Sequence, residues 1–390
     1  MSRLLQHIFG RLPIGWLQLR RKPGRFAAAL TGVAFANVLV LVQLGIMNSM
    51  SVAAVKPYGF FEADIMISAE DANTLTEGGN VARQWMLQAL ADPDVAHGMG
   101  LFVGNVPWDR SGTDINLTTF GIDFSQPYFV SAHLQEDLTR LQVQNSVMID
   151  RQARGLPRDE AAGIGPASPM SFEARDRTLT AVSTLSGGGG FGGDGYMLVS
   201  DQTFLSLFPG RSSAAPDHVL LRLRAGANVE ATLDRLRASI SEEGLRIRAY
   251  AVAEAEDLEH QKTRRPTGVV FGFGVLVGVL VGLVVIFQVL TTDVAEHLRE
   301  YATLKAMGYN APFFLGIVIE EAMVLGLLGF LPGLAAGTGI LVFMAHVTAL
   351  PFALTPLMVA TVLAGTILFA ILSGVVATRR LWFANPMDLL

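Results

Sequence analysis

Four stretches of this chain are apolar for longer than the helices of a soluble protein need: Phe26 to Met47, Gly268 to Leu290, Phe313 to His346 and Leu357 to Val376. About 20 apolar residues in a helix cross the roughly 30 Å hydrocarbon layer of a bilayer. The third stretch exceeds one crossing, at roughly 50 Å if straight with about 1.5 Å per residue. Gly329, Pro332 and Gly333 fall in its middle, where a kink is expected. Basic residues decide whether it crosses once or twice. Arg3, Arg11, Arg20, Arg21, Lys22 and Arg25 precede the first stretch with no acidic residue among them, and Arg379 and Arg380 follow the last. The positive-inside rule then puts both termini in the cytoplasm, which requires an even number of spans. Four are expected. The first has a long basic flank and no clear A-x-A site after it, so it reads as an uncleaved anchor. Composition agrees, with 51% hydrophobic and 16% charged residues, where a soluble domain carries about a quarter charged.

Charge separates the remaining chain. Segment 48–267 holds 28 acidic and 19 basic residues, a net of −9, against +4 for all other segments together. It is expected to be a soluble domain outside the membrane, and its acidity gives no reason to expect nucleic acid as a partner. Its two ends share a pattern. Residues 63–68 and 95–103 read as strands around a helix at 81–90. Residues 218–223 and 245–251 read as strands around a helix at 229–240. Asn80 and Asn228 are the expected N-caps. Two βαβ units flanking an insertion predict a split-βαβ, ferredoxin-like layer. The expected fold is an α-helical membrane protein of four transmembrane helices with an inserted α+β extracytoplasmic domain, a ferredoxin-like layer plus a β-rich subdomain.

No constellation for chemistry emerges. The chain lacks cysteine, a G-x-x-x-x-G-K-[ST] loop, an H-E-x-x-H pair and a G-x-S-x-G elbow. Acidic pairs such as Glu242 with Glu243, and Glu256 with Glu259, read as solvated helix faces. The run Ser186 to Gly195, with seven glycines, has no Lys-Ser/Thr or helix after it and reads as a flexible loop or hairpin tip, or as a mobile contact loop for a partner. No cofactor or metal is expected in this chain.

The segment between the second and third spans is short and charged. Asp293 and Glu296 have the spacing of a helix start. Val294, Leu298, Tyr301 and Leu304 or Lys305 recur at three to four residues and make one stripe, and Gly308 suits the position after a helix end. A short amphipathic helix is expected here, lying at the lipid surface or seated in a groove of a cytoplasmic motor. The stretch Arg299-Glu300-Tyr301-Ala302-Thr303-Leu304-Lys305-Ala306-Met307-Gly308 resembles the R-E-x-A-x-L-[RK]-A-x-G motif of MacB/FtsX-like permeases, the type VII, mechanotransmission ABC transporter superfamily. The tail Asn385-Pro386-Met387-Asp388-Leu389-Leu390 resembles their D-P-x-x-A-L, with Asn385 in place of Asp. Pro13 to Leu19, Gly32 to Ala36, Gln43 to Gly45 and Thr292-Asp293 resemble DevC more narrowly.

The resemblance implies a non-catalytic permease subunit of a DevBCA-like exporter of a lipid, glycolipid or other amphiphile, in the cell inner membrane. A homodimer would sit on a separate DevA-like ABC ATPase that binds ATP and Mg. A DevB/HlyD-like membrane-fusion protein and a TolC-like outer-membrane channel would complete the conduit, among membrane lipids. Glu296, Arg299, Glu300, Tyr301, Lys305 and Gly308 would couple to the ATPase. The expected division is an elbow helix in 1–25, spans at 26–47, 268–290, 312–347 and 357–378, a periplasmic domain at 48–267 (porter-like 48–123 and 213–267, sabre-like 124–212), a coupling helix in 291–311 and a tail at 379–390. The same plan serves LolC/LolE-like lipoprotein release and FtsX-like control of cell-wall hydrolases. A membrane-anchored receptor is disfavoured, because no cytoplasmic segment exceeds about 25 residues.

Within the membrane, Gly274, Gly278 and Gly282, and likewise Gly329, Gly333 and Gly337, recur every four residues. Such stripes let helices approach closely. They serve packing within the chain or a dimer seam, for which the second span is favoured. Glu320 and Glu321 lie inside the third span, where acids are costly and face protein or water. Helix packing, headgroup contact or an ion-coupled site would each account for them. In residues 2–20, Leu4, Leu5, Ile8, Phe9 and Leu12 form one side of an amphipathic stretch suited to the inner interface.

Overall fold

The computed structural model describes residues 14–21, 23–190, 192–240, 243–297, 300–301, 303–304, 307–348, 350 and 352–383. Its helices are α1 (Ile14–Arg21), α2 (Pro23–Val55), α3 (Arg83–Ala89), α4 (Ala132–Gln135), α5 (Arg158–Gly163), α6 (Asp201–Leu207), α7 (Val229–Ser239), α8 (Tyr250–Thr263), α9 (Pro266–Glu296), α10 (Ala311–Thr348) and α11 (Pro356–Phe383). Its strands are β1 (Ile65–Ala69), β2 (Val95–Arg110), β3 (Thr113–Ile122), β4 (Ser146–Asp150), β5 (Met170–Ala174), β6 (Arg177–Leu185), β7 (Gly195–Ser200), β8 (His218–Leu223) and β9 (Leu245–Ala249). The chain divides into a helical unit (Met1–Asn48, Val269–Met344, Phe352–Leu390) and a sheet unit (Ser49–Gly268, Ala345–Pro351).

In the sheet unit the strand order is β5-β6-β4-β7-β3-β2-β8-β1-β9. The block β2-β8-β1-β9 is antiparallel throughout. With α3 between β1 and β2, and α7 between β8 and β9, it is a ferredoxin-like layer. Strand β1 is buried on both faces. Ile65 and Ile67 pack with Leu233 and Leu236 of α7, while Met66 faces Tyr58, Tyr250 and Ala253. A strand covered on both sides reads as a continuous apolar run rather than an alternation. The helix that supplies Tyr250 and Ala253, α8, is foreshadowed in the sequence only by the solvated face of Glu256 and Glu259, which lies within it. Asn228 caps α7, its side chain accepting from the Ala231 N–H at 3.2 Å. Asn80 does not cap α3, which begins after Ala82.

The division expected at 123/124 falls elsewhere. Strand β2 is 16 residues long. Its first half pairs with β8 up to Leu101, and from Phe102 onward it pairs with β3. The insertion therefore begins inside one continuous strand, where no turn residue or composition change marks it. Two hairpins of the insertion turn on two residues with positive φ, Ser111 and Gly112, then Arg175 and Asp176, the type I′ geometry that suits strand twist.

In the helical unit, four helices are long and apolar enough to cross a membrane. Helix α10 has 38 residues and contains Pro332 without interruption. Both glycine stripes face α2 of the same chain. A Cβ on Gly274, Gly278 or Gly282 would lie 2.6, 2.9 or 3.2 Å from Gln43, Val40 or Ala36. On Gly329, Gly333 or Gly337 it would meet Val33, Asn37 or Leu41 at 2.7, 2.8 or 3.3 Å. The second-span stripe, favoured as a dimer seam, is thus taken up by intrachain packing. Asn37 is buried between these helices. It donates to the Val33 carbonyl and accepts from the Thr366 hydroxyl of α11 at 2.7 Å.

The helix expected to begin afresh near residue 291 does not. Helix α9 runs through Glu296, because no Gly or Pro interrupts Val289 to Glu296, and the hydrogen-bond ladder continues past the apolar stretch.

Candidate functional site

The joint between α9 and α10 gathers several polar groups buried in the helical unit, among them Gln18, Glu320 and Glu321. Two of its anchors are backbone bonds of helical type, His297 N–H to the Asp293 carbonyl (3.1 Å) and Tyr301 N–H to the His297 carbonyl (2.9 Å). These turn Tyr301 inward. It is 2% exposed, and its ring lies 5.5 Å from that of Phe314 on α10. Its hydroxyl donates to Gln18 of α1 at 3.4 Å. Burial, with the carboxyls of Glu321 and Asp293 nearby, pushes that hydroxyl far above the usual tyrosine value. It is a neutral donor at any physiological pH.

The far side of the joint faces out. Glu300, Met307 and Tyr309 are exposed. The segment closes as expected at Gly308, with φ +94° and Tyr309 N–H donating to the Leu304 carbonyl at 3.2 Å. That is the six-to-one bond of a Schellman motif. Glu296 pairs with Arg25, both half-exposed. Gln18, Arg25, Asp293 and Glu300 line a cavity of about 190 Å³.

Glu320 and Glu321 are fully buried. Glu320 Oε1 accepts from the Trp16 N–H at 3.2 Å. That donor lies in the first turn of α1, where helix N–H groups have no partner within the helix. Glu321 lies against Asp293 and against Gly15. A Cβ on Gly15 would come within 2.7 Å of the Glu321 side chain and 2.9 Å of the Ile317 carbonyl. Of the explanations open for these acids, helix packing is the one these contacts supply.

The structure therefore brings Glu296, Glu300, Tyr301 and Gly308 together at one joint. Arg299 and Lys305 lie outside the described residues, as do the tail residues Asn385 to Leu390 and Leu4 to Leu12. Sequence reasoning missed Gly15, Trp16, Gln18 and His297, which the fold carries to this joint. The one local signal was the four-residue spacing of Asp293 and His297, whose side chains stand 3.5 Å apart.

The glycine-rich run is not a hairpin tip. It crosses from β6 to β7, which flank β4 rather than each other. Gly187 and Gly188 donate their N–H groups to the Asp150 carboxylate at 3.1 and 2.7 Å.

Residues 272–386 match the FtsX-like permease C-terminal family, a segment that spans the joint. The match and the four apolar helices make this a membrane protein. Among curated proteins, none matches the chain. Among solved structures, the periplasmic region of MacB from Actinobacillus actinomycetemcomitans is similar at 9% identity and a TM-score of 0.35, over 50% of this chain and 93% of that one. The extracellular domain of the noncanonic ABC-type transporter YknZ from Gram-positive bacteria is similar at 11% identity and a TM-score of 0.32, over 48% and 98%.

Proposed function

We propose that the chain is the permease subunit of a DevBCA-like ABC exporter. It carries motion from a separate ATPase through its helices to the sheet unit, in the inner membrane, with both termini cytoplasmic and the sheet unit in the periplasm. The observation that supports this best is the α9–α10 joint, inside the matched segment. It is fastened inward by Tyr301, and its described residues include exposed Glu300, Met307 and Tyr309. An apolar pair next to a charge suits insertion into a groove of another protein. Tyr301 then acts as a positioning residue, holding the joint rather than touching the ATPase.

Two chains would act together. The outer side of α9 exposes Val270, Phe273, Val277, Leu280, Val284 and Phe287. These recur at alternating steps of three and four, the spacing of a helix–helix seam. A DevA-like ATPase would hold ATP and Mg, and a DevB/HlyD-like fusion protein with a TolC-like channel would carry an amphiphile onward.

The test is reconstitution with the ATPase that copurifies in mild detergent. Glu300→Arg should lower coupled transport at least about tenfold, a loss of about 1.4 kcal/mol or more in coupling. The chain should stay in the membrane at wild-type level. Unchanged coupling in both Glu300→Arg and Met307→Asp would remove the joint from this role. Copurification of a lipoprotein chaperone or a cell-wall hydrolase, in place of a fusion protein, would overturn the exporter.

A further inference from the structure

The sheet unit is acidic overall, yet one of its cavities is basic. That cavity measures about 860 Å³, within the range of small-molecule sites. Lys56, Arg151, Arg154 and Arg158 line it, and among the described lining residues none is acidic. Arg154 is engaged, through the Gly190 carbonyl at 2.9 Å and Asp194 at 3.3 Å. Lys56, Arg151 and Arg158 are exposed, and no ion pair of theirs occurs among the described residues. Three uncompensated cations converging on one hollow, in a segment of net charge −9, form a site for an anion.

The remaining wall is apolar and comes from two sources. Leu156 and Ile164 flank α5. Val52 lies in the last turns of α2, and Ala345 and Leu350 lie at and just beyond the end of α10. Both helices have the length and composition of membrane spans. The hollow is far too large for a bare phosphate. It also offers no strand edge for an extended peptide, because β4, which leads into Arg151, is paired on both sides by β6 and β7. Peptide capture by strand addition needs a free edge. Gly187 to Gly189 of the glycine-rich crossing also line the hollow.

We propose that this cavity binds an anionic amphiphile. Its phosphate or carboxylate head sits on Lys56, Arg151 and Arg158, and its acyl chain lies along Val52, Leu156, Ile164 and Leu350. The inference deepens the exporter reading by giving its cargo a charge, and rests on that reading only for calling the ligand cargo. Binding requires no ATPase, so its failure would leave the Glu300 result untouched.

The experiment uses the purified full chain in a neutral maltoside detergent, with native mass spectrometry as the readout. Lysophosphatidylglycerol, lysophosphatidylcholine of the same acyl chain, and glycerol 3-phosphate are titrated separately. The anionic lysolipid should bind one per chain, at least about tenfold more tightly than the zwitterionic one, the effect of about 1.4 kcal/mol from charge-assisted contacts. Glycerol 3-phosphate should bind more weakly still. Arg151→Glu with Arg158→Glu should erase the preference, and Arg151→Lys with Arg158→Lys should keep it. Ala162→Trp, which fills the cavity, should weaken both lysolipids. Should the double charge reversal fail to fold, Lys56→Glu alone must still reduce the preference. Equal affinity for the two lysolipids overturns the proposal, as does a preference that survives charge reversal. Glycerol 3-phosphate binding as tightly as the anionic lysolipid, or an acidic peptide displacing it, would likewise overturn it.

Discussion

The two units of this molecule are built on opposite principles. The sheet unit fills its interior with large rings: Phe60, Phe61, Phe120 and Tyr196 lie within 5.3–6.4 Å of one another in several edge-on or stacked pairs. In water, burying such surface is itself the driving force, at about 25 cal/mol per Å². The helical unit instead brings backbones together at glycines, because lipid is as apolar as leucine and apolar burial gains little there. Its contacts are Gly333 against the Ala34 carbonyl and Asn37, and Gly329 against Val33. The consequence is an inversion. Removing side-chain bulk damages one unit, and adding it damages the other.

The largest effect that checks this contrast pairs a substitution in each unit. Phe120 is fully buried, and Phe120→Ala should cost about 3–5 kcal/mol. Thermal unfolding of the full chain in detergent should lose roughly 6–20 °C in the sheet-unit transition, at about 2–4 °C per kcal/mol. Gly333→Leu should cost about 1–3 kcal/mol or more by overpacking, read as loss of monodisperse protein. Gly339→Leu on the same helix is the control, because a Cβ there meets nothing within 4 Å. If Gly333→Leu is as harmless as Gly339→Leu, close approach is not what holds the helical unit together.

The same contrast explains what the sequence revealed. Spans, the two βαβ flanks and the Schellman glycine are local patterns of hydropathy, cap spacing and backbone freedom, so they are legible residue by residue. The point where the insertion leaves β2 is not, since Leu101 and Phe102 differ only in which strand they pair with. Nor is the second hairpin. Ser111-Gly112 is a turn pair by chemistry, whereas Arg175 at φ +48° is held by distant contacts. Its guanidinium donates to the Asn105 carbonyl at 3.0 Å and lies 4.1 Å from the Phe208 ring. By sequence pattern Tyr301 belongs to a stripe that meets lipid or a partner. Only tertiary contacts with Gln18 and Phe314 turn it inward. Which helix a glycine stripe faces is equally nonlocal.

Buried polar groups sharpen the contrast further, because those of the sheet unit titrate against each other. Leu75 is held from both sides of its backbone. Its N–H donates to Asp257 at 3.2 Å, and its carbonyl lies 3.2 Å from His218 Nε2. Burial pushes Asp257 up to about 7 and His218 down to about 4. Between about pH 4 and 6.5, the folded chain holds a proton on Asp257 that the unfolded chain has released. It lacks one on His218 that the unfolded chain retains. Asp257 alone makes stability fall as pH rises through this window, and His218 alone makes it rise, each by an amount on the order of 2–3 kcal/mol. In the wild type the two largely cancel. Asp257→Asn, which keeps an acceptor for Leu75, should therefore make stability increase with pH relative to wild type. His218→Gln should make it decrease. Parallel pH profiles for the three proteins would show that these groups do not titrate as a buried pair.

The smallest expected effect concerns the joint that the functional proposal depends on. Gly308 has no atom within 4 Å of where a Cβ would stand, so Gly308→Ala introduces no clash. Its cost is the left-handed backbone alone, about 1 kcal/mol. That should not alter the chain's overall melting, which the spans dominate, but it should fray the last turn before Gly308 and loosen Met307 and Tyr309. Hydrogen exchange at the Met307 and Tyr309 amides should rise about fivefold, the equivalent of that 1 kcal/mol, while exchange at Tyr301 stays unchanged because Phe314 and Gln18 hold it independently. Unaltered exchange at Tyr309 would mean that the Leu304 carbonyl bond is not what ends this helix. Exchange rising at Tyr301 as well would mean that the joint is one cooperative piece, fastened by its glycine as much as by its buried ring.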